Sequence, residues 1–162
     1  MGAGKSTVGR ILADSLEIPF FDSDDEIERR VGQAIAQIFA SDGETAFRRI
    51  EAETIEALSN EVAVIALGGG ALTSPCTLEK LVEKGDLVYL RSSVDVLMAR
   101  IVDPASRPLL AGLDEGARRA RLAALLEERQ GLYERATFVV DADGDPKDVG
   151  QRIITALARD ID

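Results

Sequence analysis

Gly2-Ala3-Gly4-Lys5-Ser6-Thr7 runs straight into a helix-period pattern at Val8, Ile11, Leu12 and Leu16. A glycine-rich stretch ending in Gly-Lys-Ser at the head of a helix matches the closing half of the phosphate-loop pattern G-x-x-x-x-G-K-[ST]. Few architectures accommodate it, because the loop joins a strand to a helix. Successive backbone N–H groups from Gly2 to Ser6 would point into one concavity, and the helix N-terminus makes that concavity more favourable for anions. Phosphate is the expected guest. Lys5 would neutralise terminal phosphates, and the Ser6 hydroxyl would be one Mg²⁺ ligand. The competing reading is a glycine-rich tail leading into an ordinary amphipathic helix.

The order of elements decides between the two. Periodicity predicts a helix over about 5–16, then Ile18 to Phe21 as a short apolar strand ending at Asp22. Helical segments follow, with Ser41 and Glu44 as a capping box for a helix through Leu58 whose face carries Phe47, Ile50, Thr54 and Leu58. Val62 to Leu67 is a continuous apolar run, as suits a strand covered on both faces, and it ends in Gly68-Gly69-Gly70. Ser74-Pro75 starts a helix that stops at Gly85, Asp86 to Leu90 is a strand, and a helix covers about 93–101. A helix over about 114–133 feeds the strand Phe138 to Val140, and Asp145-Pro146 opens the last helix through Val149, Ile153 and Leu157. Alternating strands and helices predict an α/β fold with a parallel sheet, in which ligands collect at the C-terminal ends of strands. Asp22 and the triple glycine lie at such ends.

Composition narrows the function classes. The 162 residues suit one domain, large enough to bury about two thirds of its unfolded surface. With 29 acidic against 19 basic residues and a net charge of −10, a nucleic-acid partner is not expected. A single cysteine, Cys76, and the lack of a signal-type or membrane-length apolar run point to the cytoplasm, with no membrane partner. The sequence contains no histidine, so a general base must be a carboxylate, a lysine or a tyrosine. Phosphoryl transfer needs no histidine.

Three constellations carry chemistry. In FFDSDDEIE, Asp22 and Asp24 stand at a strand end with both side chains on one side if the extended chain persists through Ser23. They could hold hydrated Mg²⁺ and accept a proton from a hydroxyl, or they could merely cap the helix beginning near Asp25. In LGGGALTSP, the glycines let a ligand approach the backbone closely, or form a plain turn. Arg129 falls in step with Leu122, Leu125, Leu126 and Leu132, and Arg48 shares a face with Ala52 and Ile55. Two inward-facing arginines suit a carboxylate-bearing ligand, since the guanidinium fork binds carboxylate in bidentate geometry. Internal salt bridges are the alternative.

Together GAGKST, FDSD, DGETAFRRIE, LGGGA, RPLL and ERQGLY resemble the shikimate kinase family, in matching order and similar spacing over nearly the whole chain. The resemblance implies a three-layer α/β/α P-loop kinase fold with a parallel sheet ordered 2-3-1-4-5, and transfer of the γ-phosphoryl of ATP to the 3-hydroxyl of shikimate with Mg²⁺. It implies that Gly2, Ala3, Gly4, Lys5, Ser6 and Thr7 bind the nucleotide, with Ser6 and Asp22 on the metal side. Asp24 becomes the base that contacts the ring hydroxyls, Arg48 and Arg129 grip the shikimate carboxylate, and the backbone at Gly69, with Gly70 beside it in the substrate site, touches a ring hydroxyl. Arg107 in SRPLL corresponds to an arginine on a lid over about 103–113 that closes on the phosphates, and Arg100 packs beside adenine. The protein is expected to be a monomer.

Two departures qualify that resemblance. The family's loop has an earlier glycine, which would fall two positions before Met1, and a central strand of about five residues ahead of it. A domain short of that strand forfeits more than ~10 kcal/mol of ladder hydrogen bonds and buried side chains, against a typical stability of ~5 to 15 kcal/mol. The expectation is therefore that Met1 is an internal methionine of the loop, or that the sequence is a fragment. In DADGDP, Gly144 stands where the family often carries a longer side chain near adenine. Two other readings remain at this point: a different small-molecule P-loop kinase such as a gluconate kinase, and a non-catalytic nucleotide- or shikimate-binding module.

Overall fold

The computed structural model describes residues 2–73, 75–101, 110 and 112–159. Helix α1 (Lys5–Leu16) leads to strand β1 (Phe20–Asp22), and helices α2 (Ser23–Val31), α3 (Ile35–Ser41) and α4 (Gly43–Leu58) return the chain to β2 (Val64–Ala66). After a 3₁₀ turn at Ala71–Thr73 come α5 (Pro75–Lys84), β3 (Val88–Arg91), α6 (Val94–Arg100), α7 (Glu115–Tyr133), β4 (Phe138–Asp141) and α8 (Pro146–Arg159). Among the described residues both strand pairs are parallel, as helical crossovers require. β1 pairs with β2 from Phe20↔Val64 to Asp22↔Ala66, and β3 pairs with β4 from Val88↔Phe138 to Arg91↔Asp141.

An apolar slot of ≈390 Å³ separates the two pairs. Consecutive residues of both β2 (Val64, Ile65, Ala66) and β3 (Val88, Tyr89, Leu90) line it, as the edges of sheets do, together with Leu12 of α1 and Leu122 and Leu125 of α7. Among the described residues no strand lies between β2 and β3. The expected order holds on each side of the slot, with the first two strands adjacent and the last two adjacent.

Three apolar clusters hold the elements. Val8 and Leu12 of α1 pack with Val140, Ala142, Val149 and Ile153, so α1 and α8 cover the strands together. Ile27, Ile38 and Phe47 tie α2, α3 and α4 into a helical lobe between β1 and β2. Leu97, Leu110 and Leu122 join α6 to α7, with Ala3 of the glycine-rich loop against them.

The helix starts follow their caps. Asp22 caps α2, Ser93 accepts from the Val96 N–H, Asp114 accepts from the Ala117 N–H at 2.7 Å, and Asp145 accepts from the Lys147 N–H at 2.8 Å. The capping box expected at Ser41 does not form. α3 continues through Ser41, whose hydroxyl donates back to the Gln37 carbonyl, and the chain reverses at Asp42-Gly43, where α4 begins. The strand expected over 62–67 shortens to Val64–Ala66, with Val62 80% exposed, because pairing with the three residues of β1 limits the ladder. Among the described residues no helix is long and apolar enough to cross a membrane.

Candidate active site

The loop and the C-terminal ends of β1 and β2 meet at a cleft of ≈540 Å³, lined by Gly2 to Val8, Asp22, Asp24, Leu67, Gly69, Arg100, Ala142, Pro146 and Val149. Gly4 is left-handed, at φ 83°, which a side chain would resist, and it stands at the N-cap of α1 with no side chain to cap the helix. That leaves the start of α1 as an anion-favouring terminus at the floor of the cleft. Gly2, Ala3, Lys5, Ser6 and Thr7 share this floor.

The extended conformation expected through Ser23 is not found: α2 starts at Ser23, because Asp22 is its N-cap. Asp22 uses its two oxygens differently. Oδ1 accepts from the Asp24 N–H at 3.1 Å, and Oδ2 accepts from the Ser6 hydroxyl at 2.6 Å. The capping reading and the site reading of Asp22 therefore coexist. Asp24 is carried on the first turn of α2, half-buried at the end of β2. Burial, then the charges of Asp22 and Glu51, push its carboxyl pKa above the ordinary 3.8, against the opposing pull of Lys5.

The triple glycine explains how these groups come so close. A Cβ at Gly68 would lie 2.5 Å from Asp24 Oδ1 and 3.1 Å from Glu51 Oε1, so only glycine admits both carboxylates against the backbone. The Gly68 N–H donates to the buried Ser23 hydroxyl at 2.8 Å, which fixes the end of β2 to the start of α2. A Cβ at Gly70 would meet the Arg48 guanidinium at 2.5 Å. Arg48 donates to Glu51 Oε2 at 2.7 Å and to Glu44 at 3.3 Å on its own helix, so the internal salt-bridge reading is realised for it. Its side chain nevertheless stays 34% exposed while that of Glu51 is 5% exposed, so part of the arginine side chain remains open to solvent. Burial works against the Arg48 charge, and the hydrogen bond and charge of Glu51 outweigh it, raising its pKa.

Arg129 reaches the same glycines from α7: Nη1 donates to the Gly69 carbonyl at 2.5 Å. Tyr133 donates to that carbonyl as well, at 3.1 Å. Arg100 lies at the far end of the cleft and donates to the carbonyls of Ala142 (2.9 Å) and Gly144 (3.0 Å), bridging α6 to the turn before α8. Arg107 and most of the expected lid over 103–113 lie outside the described residues.

Sequence reasoning passed over Ser23, Glu51 and Tyr133. Two had a readable signal: Glu51 is three residues after Arg48 and Tyr133 four after Arg129, which are same-face spacings on a helix. Ser23 had none, since its partner Gly68 lies 45 residues away.

Comparison with known proteins shows what the chain is similar to. The family model for shikimate kinase matches residues 1–158. The shikimate kinase of Halorhodospira halophila is 45% identical over 160 residues, covering 97% of this chain and 89% of its own length. That of Mycobacterium avium is 48% identical over 139 residues, covering 85% of this chain and 77% of its own. The solved shikimate kinase of Acinetobacter baumannii in complex with shikimate superposes with a TM-score of 0.91 at 37% identity, covering 99% of this chain and 89% of the other.

Proposed function

The chain belongs to the shikimate kinase family, and from that premise we propose that it transfers the γ-phosphoryl group of ATP to the 3-hydroxyl of shikimate, giving shikimate 3-phosphate and ADP, a step of aromatic amino acid biosynthesis. The observation that carries the reading is the convergence at Gly68 to Gly70: Asp24 against the first glycine, Arg129 on the second and Arg48 on the third, with Asp24 and Gly69 lining the same cleft as the phosphate-loop floor at Lys5. A hydroxylated carboxylic acid and a terminal phosphate are the pair of ligands such a crevice suits.

The roles follow from the chemistry of the side chains. Arg48 and Arg129 hold the substrate carboxylate, with the Gly69 and Gly70 backbone along the ring. Asp24 takes the proton of the 3-hydroxyl as the new O–P bond forms and the bond to the ADP oxygen breaks; a raised pKa makes it a better-matched base near neutrality. Lys5 and the N–H groups of Gly2 to Thr7 neutralise charge on the phosphates, and Arg100 borders the nucleotide base. Arg107 completes the charge stabilisation from a lid over about 103–113 that excludes water.

Ser6 and Asp22 offer a hydroxyl and a carboxylate, hard oxygen donors of the kind that suits Mg²⁺ with its retained waters. When bound there, Mg²⁺ would supply further neutralisation of the phosphates. The reading extends to a single-domain, cytoplasmic monomer with small-molecule partners only; the net charge of −10 supports the exclusion of nucleic acid.

A coupled ADP-release assay with shikimate and with gluconate tests the proposal. Turnover with shikimate alone is expected. Preference for gluconate would reassign the enzyme to another small-molecule kinase, and a folded chain inactive toward both would make it a binding module.

A further inference from the structure

Two donors share one acceptor at the mouth of the site. Tyr133 Oη and Arg129 Nη1 both donate to the Gly69 carbonyl, at 3.1 and 2.5 Å, from positions one turn apart on α7. The donors differ in freedom. The Tyr133 ring is packed against Tyr89 of β3, with centroids 4.9 Å apart and planes tilted by 31°, whereas Arg129 ends a long flexible stem. A carbonyl oxygen has two lone pairs and can accept both.

Resting on the reading of Arg129 as a ligand of the substrate carboxylate, we propose that Tyr133 is a positioning residue that takes over the Gly69 carbonyl when Arg129 leaves it for that carboxylate. The exchange favours the guanidinium, because a hydrogen bond to a carboxylate is roughly twice as strong as one to a neutral carbonyl. It would otherwise cost the peptide. Gly69 is exposed, so water can serve its carbonyl in the open cleft, but a ligand seated on the triple glycine displaces that water. The tyrosine hydroxyl keeps the carbonyl paired at that moment and holds the Gly69-Gly70 peptide in one orientation against the ring of the substrate.

Tyr133→Phe retains the ring and removes the hydroxyl. Because Arg129 still covers the carbonyl in the unliganded protein, Tm without ligand is expected to change little. Calorimetric Kd for shikimate is expected to weaken about three- to tenfold, the worth of one neutral hydrogen bond, with KM for shikimate rising and KM for ATP steady. The methyl ester of shikimate, which offers no carboxylate to draw Arg129 away, should bind the variant and the unmodified chain equally. The sequence has no tryptophan and two tyrosines, so near-ultraviolet absorbance reads this pair directly. Shikimate should produce a saturable tyrosine difference spectrum that the variant loses. Unchanged shikimate affinity, or equal weakening toward acid and ester, would overturn the handover while leaving the kinase assignment intact. Should the variant fail to fold, the unmodified chain decides: no shikimate-dependent tyrosine difference spectrum overturns it. An unmodified chain that neither binds nor phosphorylates shikimate removes both readings.

Discussion

The Ser6 hydroxyl donates to Asp22 Oδ2 at 2.6 Å, joining the first turn of α1 to the last residue of β1 across 16 positions of sequence. Through this bond the anion-binding floor and the carboxylate wall of the cleft are built as one unit, with Asp22 also capping the helix that carries Asp24.

Asp22 therefore has two separable duties. Asp22→Asn keeps a side-chain acceptor for the α2 cap and weakens the metal side; Asp22→Ala removes both. Both variants are expected to need about tenfold or more Mg²⁺ for half-maximal activity. Only the alanine variant should also lose about 1 kcal/mol of stability. Mg²⁺ titration of turnover and urea denaturation read the two effects, and equal stability of both variants would count against the cap.

Asp24 is destabilising where it is useful. Its pKa is raised by burial and by Asp22 and Glu51, so the unfolded chain releases this proton more readily than the folded one. Folding stability from this group is thus lost as pH rises from 3.8 through the higher folded value, and the penalty is complete above it. Asp24→Asn should raise Tm at pH 7, with the gain fading toward pH 4, while kcat falls at least ~10²-fold as expected for losing a general base. The acid limb of the kcat/KM profile should have its midpoint above 3.8.

Gly68 and Gly69 make a matched pair of tests. Alanine at Gly68 forces Asp24 and Glu51 off contacts of 2.5 and 3.1 Å, whereas at Gly69 the nearest atom, Arg129 Nη1, is 3.7 Å from the new Cβ. Displacement of a reacting group by about 1 Å can cost ~10² in rate. Gly68→Ala is expected to approach that loss in kcat and Gly69→Ala to cost less, as measured by steady-state kinetics. The reverse ranking would refute the close approach as the reason for the glycine.

Arg48 serves Glu51 as much as the substrate. Arg48→Ala leaves a buried carboxylate without its partner, a loss of up to ~3 kcal/mol, moderated by the partial exposure of the arginine. It also removes a carboxylate ligand. Adding Glu51→Gln should restore much of the stability seen in thermal denaturation while KM for shikimate stays high. Recovery of both together would show that Arg48 matters only to folding.

Local chemistry along the chain settled much of this protein. Period-3.6 patterning located α1, α7 and α8, a short apolar run before glycines located β2, and Asp114, Asp145 and Ser93 fixed helix starts, because each depends on partners within one turn. The same local rules failed where a neighbouring strand or a competing local turn or cap intervened. Pairing of β1 with β2 trimmed the run at Val62, the reversal at Asp42-Gly43 drew Ser41 into α3, and the cap at Asp22 turned DSD into a helix start.

The long-range part of the arrangement of functional groups was decided by packing. Gly68 reaches Ser23 across 45 residues, Arg129 reaches Gly69 across 60 and Tyr133 across 64. Residue identities at Asp24, Arg48 and Arg129 announced acid and guanidinium chemistry, and the i,i+3 spacing put Glu51 within reach of Arg48, but nothing local announced that Arg129 shares a distant carbonyl with a tyrosine. A side chain's type and its helical face are properties of a few neighbouring residues. Which acceptor it meets depends on how helices far apart in the chain settle against the strands, and that is fixed when the apolar clusters of the whole fold close together.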